Sequence, residues 1–394
     1  MASSFISLVQ RVYRISHPPD TPPKNDAIRF GVLGAAAIAP DALITPARSH
    51  SEAVVYAVAA RSLEKAQKFA RKHGVEKAYG GPQAYQELLD DPNVDAVYNP
   101  LPNGLHYEWT MKALQAGKHV LLEKPSGNNV EETREMFELA GAKGLVLLEA
   151  FHYRFHPAIH SVQAILKSGE IGAIKHVEVS LRLPKGWFPE NDIRFDFALG
   201  GGAMMDMGCY LINCARTLIG AEPLSVLSAT LLNLIPTTDG SAPTVDGGLS
   251  ATLSFPGDVT ATVTANHREP PVLGIIPRMP TVLLVVECEG GELRMMNFVA
   301  PTLYHYIDVK KKGKSGKTRT EKVYKPAEAG VKGEEWWTTY RYQLEAFVDK
   351  LKGRTPATWI SAEDSIANMT WIDNVYQAAG LPVRPRSTFE LSRP

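Results

Sequence analysis

The chain has 394 residues, 44% of them apolar and 21% charged, enough ordinary globular material for two well-cored domains. Lys plus Arg and Asp plus Glu stand at 42 each, so no net field draws the protein to nucleic acid or to an anionic membrane. Cys209, Cys214 and Cys288 show no CxxC or zinc-ligand spacing and fit a reduced, cytoplasmic setting, and no apolar run approaches the ~20 residues that span a bilayer.

Residues 1–26 read as an N-terminal arm. Arg11 and Arg14 precede the first acid, Asp20, a faint likeness to a transit peptide that lacks the apolar core of a secretory signal. Pro18, Pro19, Pro22 and Pro23 then impose an extended linker. A strand over 28–33 runs into Gly31-Val-Leu-Gly34-Ala-Ala36-Ala-Ile38-Ala39. Gly34 suits the tight βα turn that lets backbone N–H groups approach a pyrophosphate, and Ala36 and Ala39 stand where the second and third glycines of that fingerprint usually sit. By itself the turn is equally compatible with a well-packed strand–helix corner. The next strand, 54–60, ends in Arg61-Ser62 ahead of a helix over 63–73. An NAD site places an acid at that strand end and an NADP site an arginine, so this pair points to NADP.

A helix over 83–89, a strand over 94–98, the turn Asn99-Pro100-Leu101-Pro102-Asn103-Gly-Leu-His106 and a helix over 107–116 follow. Val120, Leu121 and Leu122 read as a strand buried on both faces, stopped at Glu123-Lys124-Pro125 because proline cannot donate to a ladder. A helix over 131–142 and a strand over 145–149 complete the alternation. The spacing predicts a doubly wound parallel sheet over 27–150. Right-handed crossovers put every strand's carboxyl end on one edge, so Gly34, Arg61, Asn103, Lys124 and Glu149 border one crevice. A single lysine at a strand end is most often a solvated loop charge; the convergence makes Lys124 a candidate for chemistry.

Residues 151–394 are expected to form a second α/β domain with a large, mostly antiparallel open sheet. Phe151-His152-Tyr153-Arg154-Phe155-His156-Pro157 suits either interdomain packing, the commoner fate of such clusters, or the crevice wall. A helix over 159–167 precedes a half-buried strand from His176, in which Val177, Val179, Leu181 and Leu183 alternate with other residues. An irregular loop, 187–197, carries Trp187, Phe188, Arg194 and Phe195. Gly200-Gly-Gly202-Ala-Met-Met-Asp206-Met-Gly-Cys-Tyr210 then opens a helix over 211–218. Asp206 and Tyr210 are four apart and share a helical face, as a dipole-serving acid with a core tyrosine or as an acid–phenol pair aimed at the crevice. Strands are expected at 251–255, 259–266, 281–287 and 292–298, surface loops at 236–248 and 310–325, and helices at 336–351 and 362–379. No Ser/His/Asp or metal-ligand pattern favours hydrolysis.

Gly34 to Ala39, Glu123-Lys124-Pro125, Tyr153 to Pro157 and Gly200 to Asp206 together resemble the glucose–fructose oxidoreductase / inositol dehydrogenase / rhizopine-catabolism (Gfo/Idh/MocA) family over about 28–381, in its subgroup of NADP-dependent D-xylose 1-dehydrogenases and dimeric dihydrodiol dehydrogenases. The resemblance implies a Rossmann domain followed by an α/β domain that forms a homodimer through its open sheet. It implies a catalytic Lys124, with Tyr210 where many members have histidine and Asp206 as its partner. Crevice and resemblance together nominate Gly31, Gly34, Ala36, Ile38, Ala39, Arg61, Ser62, Pro100, Leu101, Asn103, His106, Glu123, Lys124 and Arg154 for NADP. For a small sugar they nominate His152, Arg154, Trp187, Arg194, Asp206 and Tyr210. The expected reaction is oxidation of a D-xylose-like aldopyranose at C1 to the lactone, with no metal. Dihydrodiol oxidation, keto-sugar reduction, a transhydrogenating glucose–fructose-type oxidoreductase and a non-enzymatic dinucleotide sensor are the rival readings. A phenol with a pKa of ~10 is too weak a base near neutrality, so Lys124 is expected to lower that of Tyr210. A cis Lys124–Pro125 bond is expected to aim the ammonium.

Overall fold

Short apolar segments flanked by helices pair in parallel in the first half of the chain. The computed structural model describes residues 2–236, 244–313, 318–326, 330 and 332–391. Six strands, β1 (Ile28–Leu33), β2 (Ala53–Ala60), β3 (Lys77–Gly80), β4 (Ala96–Asn99), β5 (His119–Leu122) and β6 (Leu147–Glu149), lie in the order β3-β2-β1-β4-β5-β6. The reversal of strand order falls between β1 and β4, the switch point where doubly wound sheets take their ligands. Because side chains alternate along a strand, Val97, Val120 and Leu122 face one way and Tyr98 and Leu121 the other.

The N-terminal arm is not extended throughout: residues 2–16 form α1 (Ala2–Ser16), which docks through Arg11, whose guanidinium donates to Thr302 O at 2.8 Å and stacks over Tyr324. After β1 come a π-helical turn, Pro40–Ile44, and the short α2 (Thr45–Arg48). The remaining helices of this half are α3 (Leu63–His73), α4 (Ala84–Asp90), α5 (His106–Gln115) and α6 (Val130–Ala142). Leu88, Met111, Leu114 and Met136, from α4, α5 and α6, bury one face of the sheet. The other face receives Leu43 and Ile44 and, from near the chain's end, α9 (Thr339–Leu351), whose Phe347 meets Phe30 at 5.9 Å between ring centroids.

Between these, α7 (Pro157–Lys167) leads into an eight-stranded sheet of β7 (Ile174–Pro184), β8 (Ser225–Leu234), β9 (Asp246–Phe255), β10 (Val259–Glu269), β11 (Thr281–Cys288), β12 (Gly291–Met296), β13 (Tyr306–Lys311) and β14 (Thr318–Glu321). The order is β14-β13-β12-β11-β7-β10-β9-β8, antiparallel except for β7 beside β10. Its apolar face packs on α8 (Cys209–Ile219) and α10 (Ala362–Ala378). The other face carries cross-strand rows of hydroxyls, Ser250 with Thr264 and Thr252 with Thr262, hydrogen-bonded at 2.9 and 3.2 Å. No described helix is long and apolar enough to cross a membrane.

Two expected surface loops are corrected. β9 begins at Asp246, inside the segment read as loop 236–248, of which 237–243 lie outside the described residues. Within 310–325, of which 314–317 lie outside the described residues, β13 ends at Lys311 and β14 adds an edge strand of polar residues, pairing Asp308 with Thr320. Polar, charged edges of this kind discourage a further strand from adding. β3 and β8 were not expected either: Lys-Ala-Tyr-Gly has no apolar run, and β8 is exposed along much of its length.

Candidate active site

The carboxyl edge of the parallel sheet meets the start of α8 across a cavity of about 730 Å³. Its floor is the β5 terminus. The Lys124–Pro125 peptide bond is cis, and Lys124 Nζ donates to Asp206 O at 2.8 Å and Asp206 Oδ1 at 3.0 Å. Asp206 sits in a π-helical turn, Met204–Gly208, that leads directly into α8. Its second oxygen, Oδ2, accepts from Arg194 Nε at 3.0 Å and lies 3.0 Å from His267 Nε2. Burial would raise the Asp206 carboxyl, but Lys124, His267 and Arg194 outweigh it and hold it well below the carboxylate range. Burial likewise pulls the Lys124 ammonium down, and Asp206, Cys209 and Glu123 more than restore it. The pair is therefore an ammonium facing a carboxylate.

Tyr210 corrects one expectation. Lys124 Nζ lies over its ring, 4.9 Å from the centroid, rather than at its hydroxyl. The hydroxyl is 3.0 Å from His152 Nε2. Burial, reinforced by Tyr340 and Glu123, pushes the phenol well above its ordinary pKa, the opposite of the expected lowering. The resting phenol is a proton donor.

Around this centre, Glu123 is half-buried, accepts from Tyr98 Oη at 2.6 Å, and is pushed up by desolvation. His106 braces two loops, with Nδ1 2.8 Å from Pro125 O and Nε2 2.7 Å from Leu101 O; burial outweighs both carbonyls and pulls it to about 4. Asn103 Nδ2 donates to Gly200 O at 3.0 Å, tying the proline-rich loop to the glycine turn before Asp206. Ala36, Ile38, Pro100, Leu101 and Arg194 also line the cavity.

A second hollow of about 500 Å³ shares Ala36, Pro100, Leu101 and Pro102 with the first and runs on to Gly34, Arg61, Ser62 and Lys65. Gly34 has φ +87°, a conformation that favours glycine, and a Cβ there would stand 3.1 Å from Leu101. β2 ends without a carboxylate, and Arg61 and Lys65 have no ion-pair partner among the described residues. A small-residue turn opening onto a groove with free cations at one end and Lys124 at the other fits a dinucleotide.

Several nominated residues stand elsewhere. Gly31 lies inside β1, where a Cβ would come 2.6 Å from Leu88 Cδ2, so its smallness seats α4. Ala39 is fully buried in the core behind the turn. Arg154 is drawn to Asp364, which also binds Arg216. Trp187 is 54% exposed on its loop and away from the cavity wall, and His152 is buried behind Tyr210. Glu149 is buried too, accepting from Ser126 N at 2.8 Å, and burial raises it to about 7. His267, Asp192, Tyr340 and Lys65 belong to the site without having been singled out. Lys65 lies in the first turn of the helix that follows Arg61, beside Glu64, and faces the same hollow.

A model of the oxidoreductase family with an NAD-binding Rossmann fold matches residues 28–151, and one of the Gfo/Idh/MocA C-terminal domain matches residues 159–282. The chain is 34% identical to D-xylose 1-dehydrogenase (NADP(+)) 2 of Haloferax volcanii over 355 residues, covering 89% of this chain and 97% of the relative. It is 34% identical to trans-1,2-dihydrobenzene-1,2-diol dehydrogenase of Sus scrofa over 241 residues, covering 61% of this chain and 68% of that one. Among solved structures it resembles KijD10, a 3-ketoreductase from Actinomadura kijaniata in complex with NADP and TDP-benzene, at a TM-score of 0.74 and 29% identity, covering 89% of this chain and 98% of that one. With both family models placed end to end along it, and with a relative of this identity matched over nearly its whole length, the chain belongs to the Gfo/Idh/MocA oxidoreductases, enzymes built on an NAD(P)-binding Rossmann fold.

Proposed function

We propose that the protein is an NADP-dependent sugar dehydrogenase that oxidises an aldopyranose of the D-xylose type at C1 to the lactone, as a homodimer through the open face of its second sheet. The observation that carries this reading is the joining of the Lys124–Asp206–Tyr210 centre to a groove that ends at Arg61 and Lys65. The Haloferax relative, named for this activity and cofactor, supports it. The charge balance of the cavity favours a neutral sugar over a nucleotide-linked one. Lys124 is paired with Asp206, and Arg194 with both Asp192 and Asp206, which leaves no unpaired cation on the described cavity wall for a diphosphate.

A nicotinamide bound along the groove supplies the hydride acceptor. Lys124, held from two sides by Asp206, keeps one N–H for the reacting sugar oxygen and stabilises the charge that builds there. Tyr210 exchanges the hydroxyl proton. Arg61 and Lys65 would hold the 2′-phosphate.

The test is NADPH absorbance with purified protein and a panel of pentoses, hexoses, diols and keto sugars. Aldopentose oxidation is expected, and Tyr210→Phe should lower kcat by about 10²–10⁴-fold with cofactor binding intact. No turnover of any panel member, with NADPH still bound, would replace the enzyme reading by a dinucleotide sensor. Sedimentation as a monomer would remove the dimer. Arg61→Ala should raise KM for NADP by about 10–100-fold, the loss of a charge-assisted contact of ~1.5–3 kcal/mol, while leaving KM for NAD unchanged. Equal effects on the two cofactors would refute the phosphate assignment.

A further inference from the structure

Oxidation of an alcohol releases one proton per turnover, and cofactor and sugar filling the cavity would stand between that proton and solvent on the substrate side. Tyr210 is protonated at rest because it is buried, so it can accept the alcohol proton only as its own departs. Its hydroxyl is 3.0 Å from His152 Nε2, and His152 Nδ1 is 2.7 Å from Thr339 Oγ1. The imidazole is almost wholly buried, with the Tyr340 ring packed against it, tilted by 36° at 4.0 Å between centroids. Thr339 and Tyr340 form part of the wall of a separate cavity of about 250 Å³, roofed by Ile15 and Pro18 of the N-terminal arm. Asp41 and Leu303, also on that wall, are exposed, so this cavity reaches the surface.

We propose that His152 and Thr339 carry the proton from Tyr210 to this second cavity, a rear exit that leaves the substrate side closed. The inference rests on the reading of Tyr210 as the substrate's proton partner. The reacting carbon loses hydride with its bonding pair to the oxidised nicotinamide, and the O–H bonding pair closes the carbonyl. The freed proton goes to Tyr210 Oη as the phenol's own proton goes to His152 Nε2. The Nδ1 proton passes to Thr339 Oγ1, and the threonine's proton to water in the second cavity, beside the Asp41 carboxylate. One proton enters at the sugar and one leaves to solvent, which leaves the imidazole protonated at Nε2; once product departs and the substrate side opens, the ring regains its starting tautomer as Nε2 returns its proton through Tyr210 to water on that side and Nδ1 takes one from water through Thr339. Burial and the nearby Lys124 pull His152 to about 3, so the ring passes a proton on rather than storing it as an imidazolium. His152 and Thr339 are positioning residues here, acting through Tyr210.

Thr339→Val keeps the volume and removes the hydroxyl. It should lower kcat by about 10²-fold, enlarge the solvent deuterium isotope effect on kcat, and leave KM and NADPH binding unchanged, whereas Thr339→Ser should restore turnover and the original isotope effect. Should Thr339→Val fail to fold, Thr339→Cys, with a thiol that relays poorly, gives the same reading. Wild-type kcat and isotope effect in the valine or cysteine variant, alongside an inactive Tyr210→Phe, would overturn the relay and leave the dehydrogenase standing. A loss that serine does not restore also overturns it, as a packing effect. Full turnover by Tyr210→Phe would remove the proton partner and the relay with it.

Discussion

Lys124→Met is expected to lower kcat by about 10³-fold, the scale of removing a preorganised charge from a developing oxyanion. Methionine matches the length of the lysine stem, so the change removes an ammonium and little else. Asp206 would not be stranded, because Arg194 and His267 still meet its Oδ2. Folding should therefore survive, and NADPH fluorescence titration should give an unchanged dissociation constant. The loss should be uniform across neutral pH: Asp206, Cys209 and Glu123 lift the ammonium above its ordinary pKa, so the wild-type lysine stays charged throughout that range. Turnover within a few-fold of wild type would remove Lys124 from the chemistry.

Arg384→Met is expected to destabilise the fold by about 3–5 kcal/mol, because it strands a buried partner. Arg384 and Asp246 are both fully buried and pair at 2.7 Å. Tyr376 Oη also donates to Asp246 Oδ1, at 2.8 Å, and Met204 N to Oδ2 at 2.7 Å, while Arg384 Nε donates to Gly201 O at 2.6 Å. Gly202, at φ +134°, threads this cluster so closely that a Cβ would fall 2.2 Å from Arg384 Nη2. One network thus fixes the glycine turn, the first amides of the π-turn that carries Asp206, and the chain's last turns. Replacing both charges, as Arg384→Met with Asp246→Leu, should recover part of the loss, since an apolar pair has no stranded charge. Urea unfolding reads both. A single-variant loss below about 0.5 kcal/mol, the range of an ordinary surface substitution, would show that the pair contributes little.

The parallel sheet was legible because its strands are buried on both faces and so stand out as unbroken apolar runs, Val120 to Leu122 above all. β3 and β14 were not, because their residues are held by neighbouring strands rather than by a pattern of their own. At the site, Lys124, Asp206 and Tyr210 were readable from strand ends and helix spacing and do converge on one cavity. His267 was not, because its place beside Asp206 depends on how β10 crosses the sheet. Arg154 and Trp187 were nominated from their place near the crevice and from the resemblance; a nearer acid claims one and solvent the other. The direction of the Tyr210 shift turned on where the Lys124 ammonium sits relative to ring and hydroxyl, a matter of a few ångströms that no spacing encodes.

The return of α9 to the nucleotide-binding sheet has a consequence for modularity. Phe30 and Tyr98 on that face are closed off by the same packed core that includes Leu344 and Phe347, contributed from α9 (Thr339–Leu351), which begins only after the whole second sheet, long after the parallel sheet's last strand (Leu147–Glu149). Residues 391 and before return further still: Phe389 meets Tyr107, and Arg386 binds Glu135, so the tail straps α5 and α6. The cofactor-binding half is consequently not a cassette. Grafting it onto another member of the family, or exchanging it to change cofactor preference, means carrying the closing helix and tail along with it.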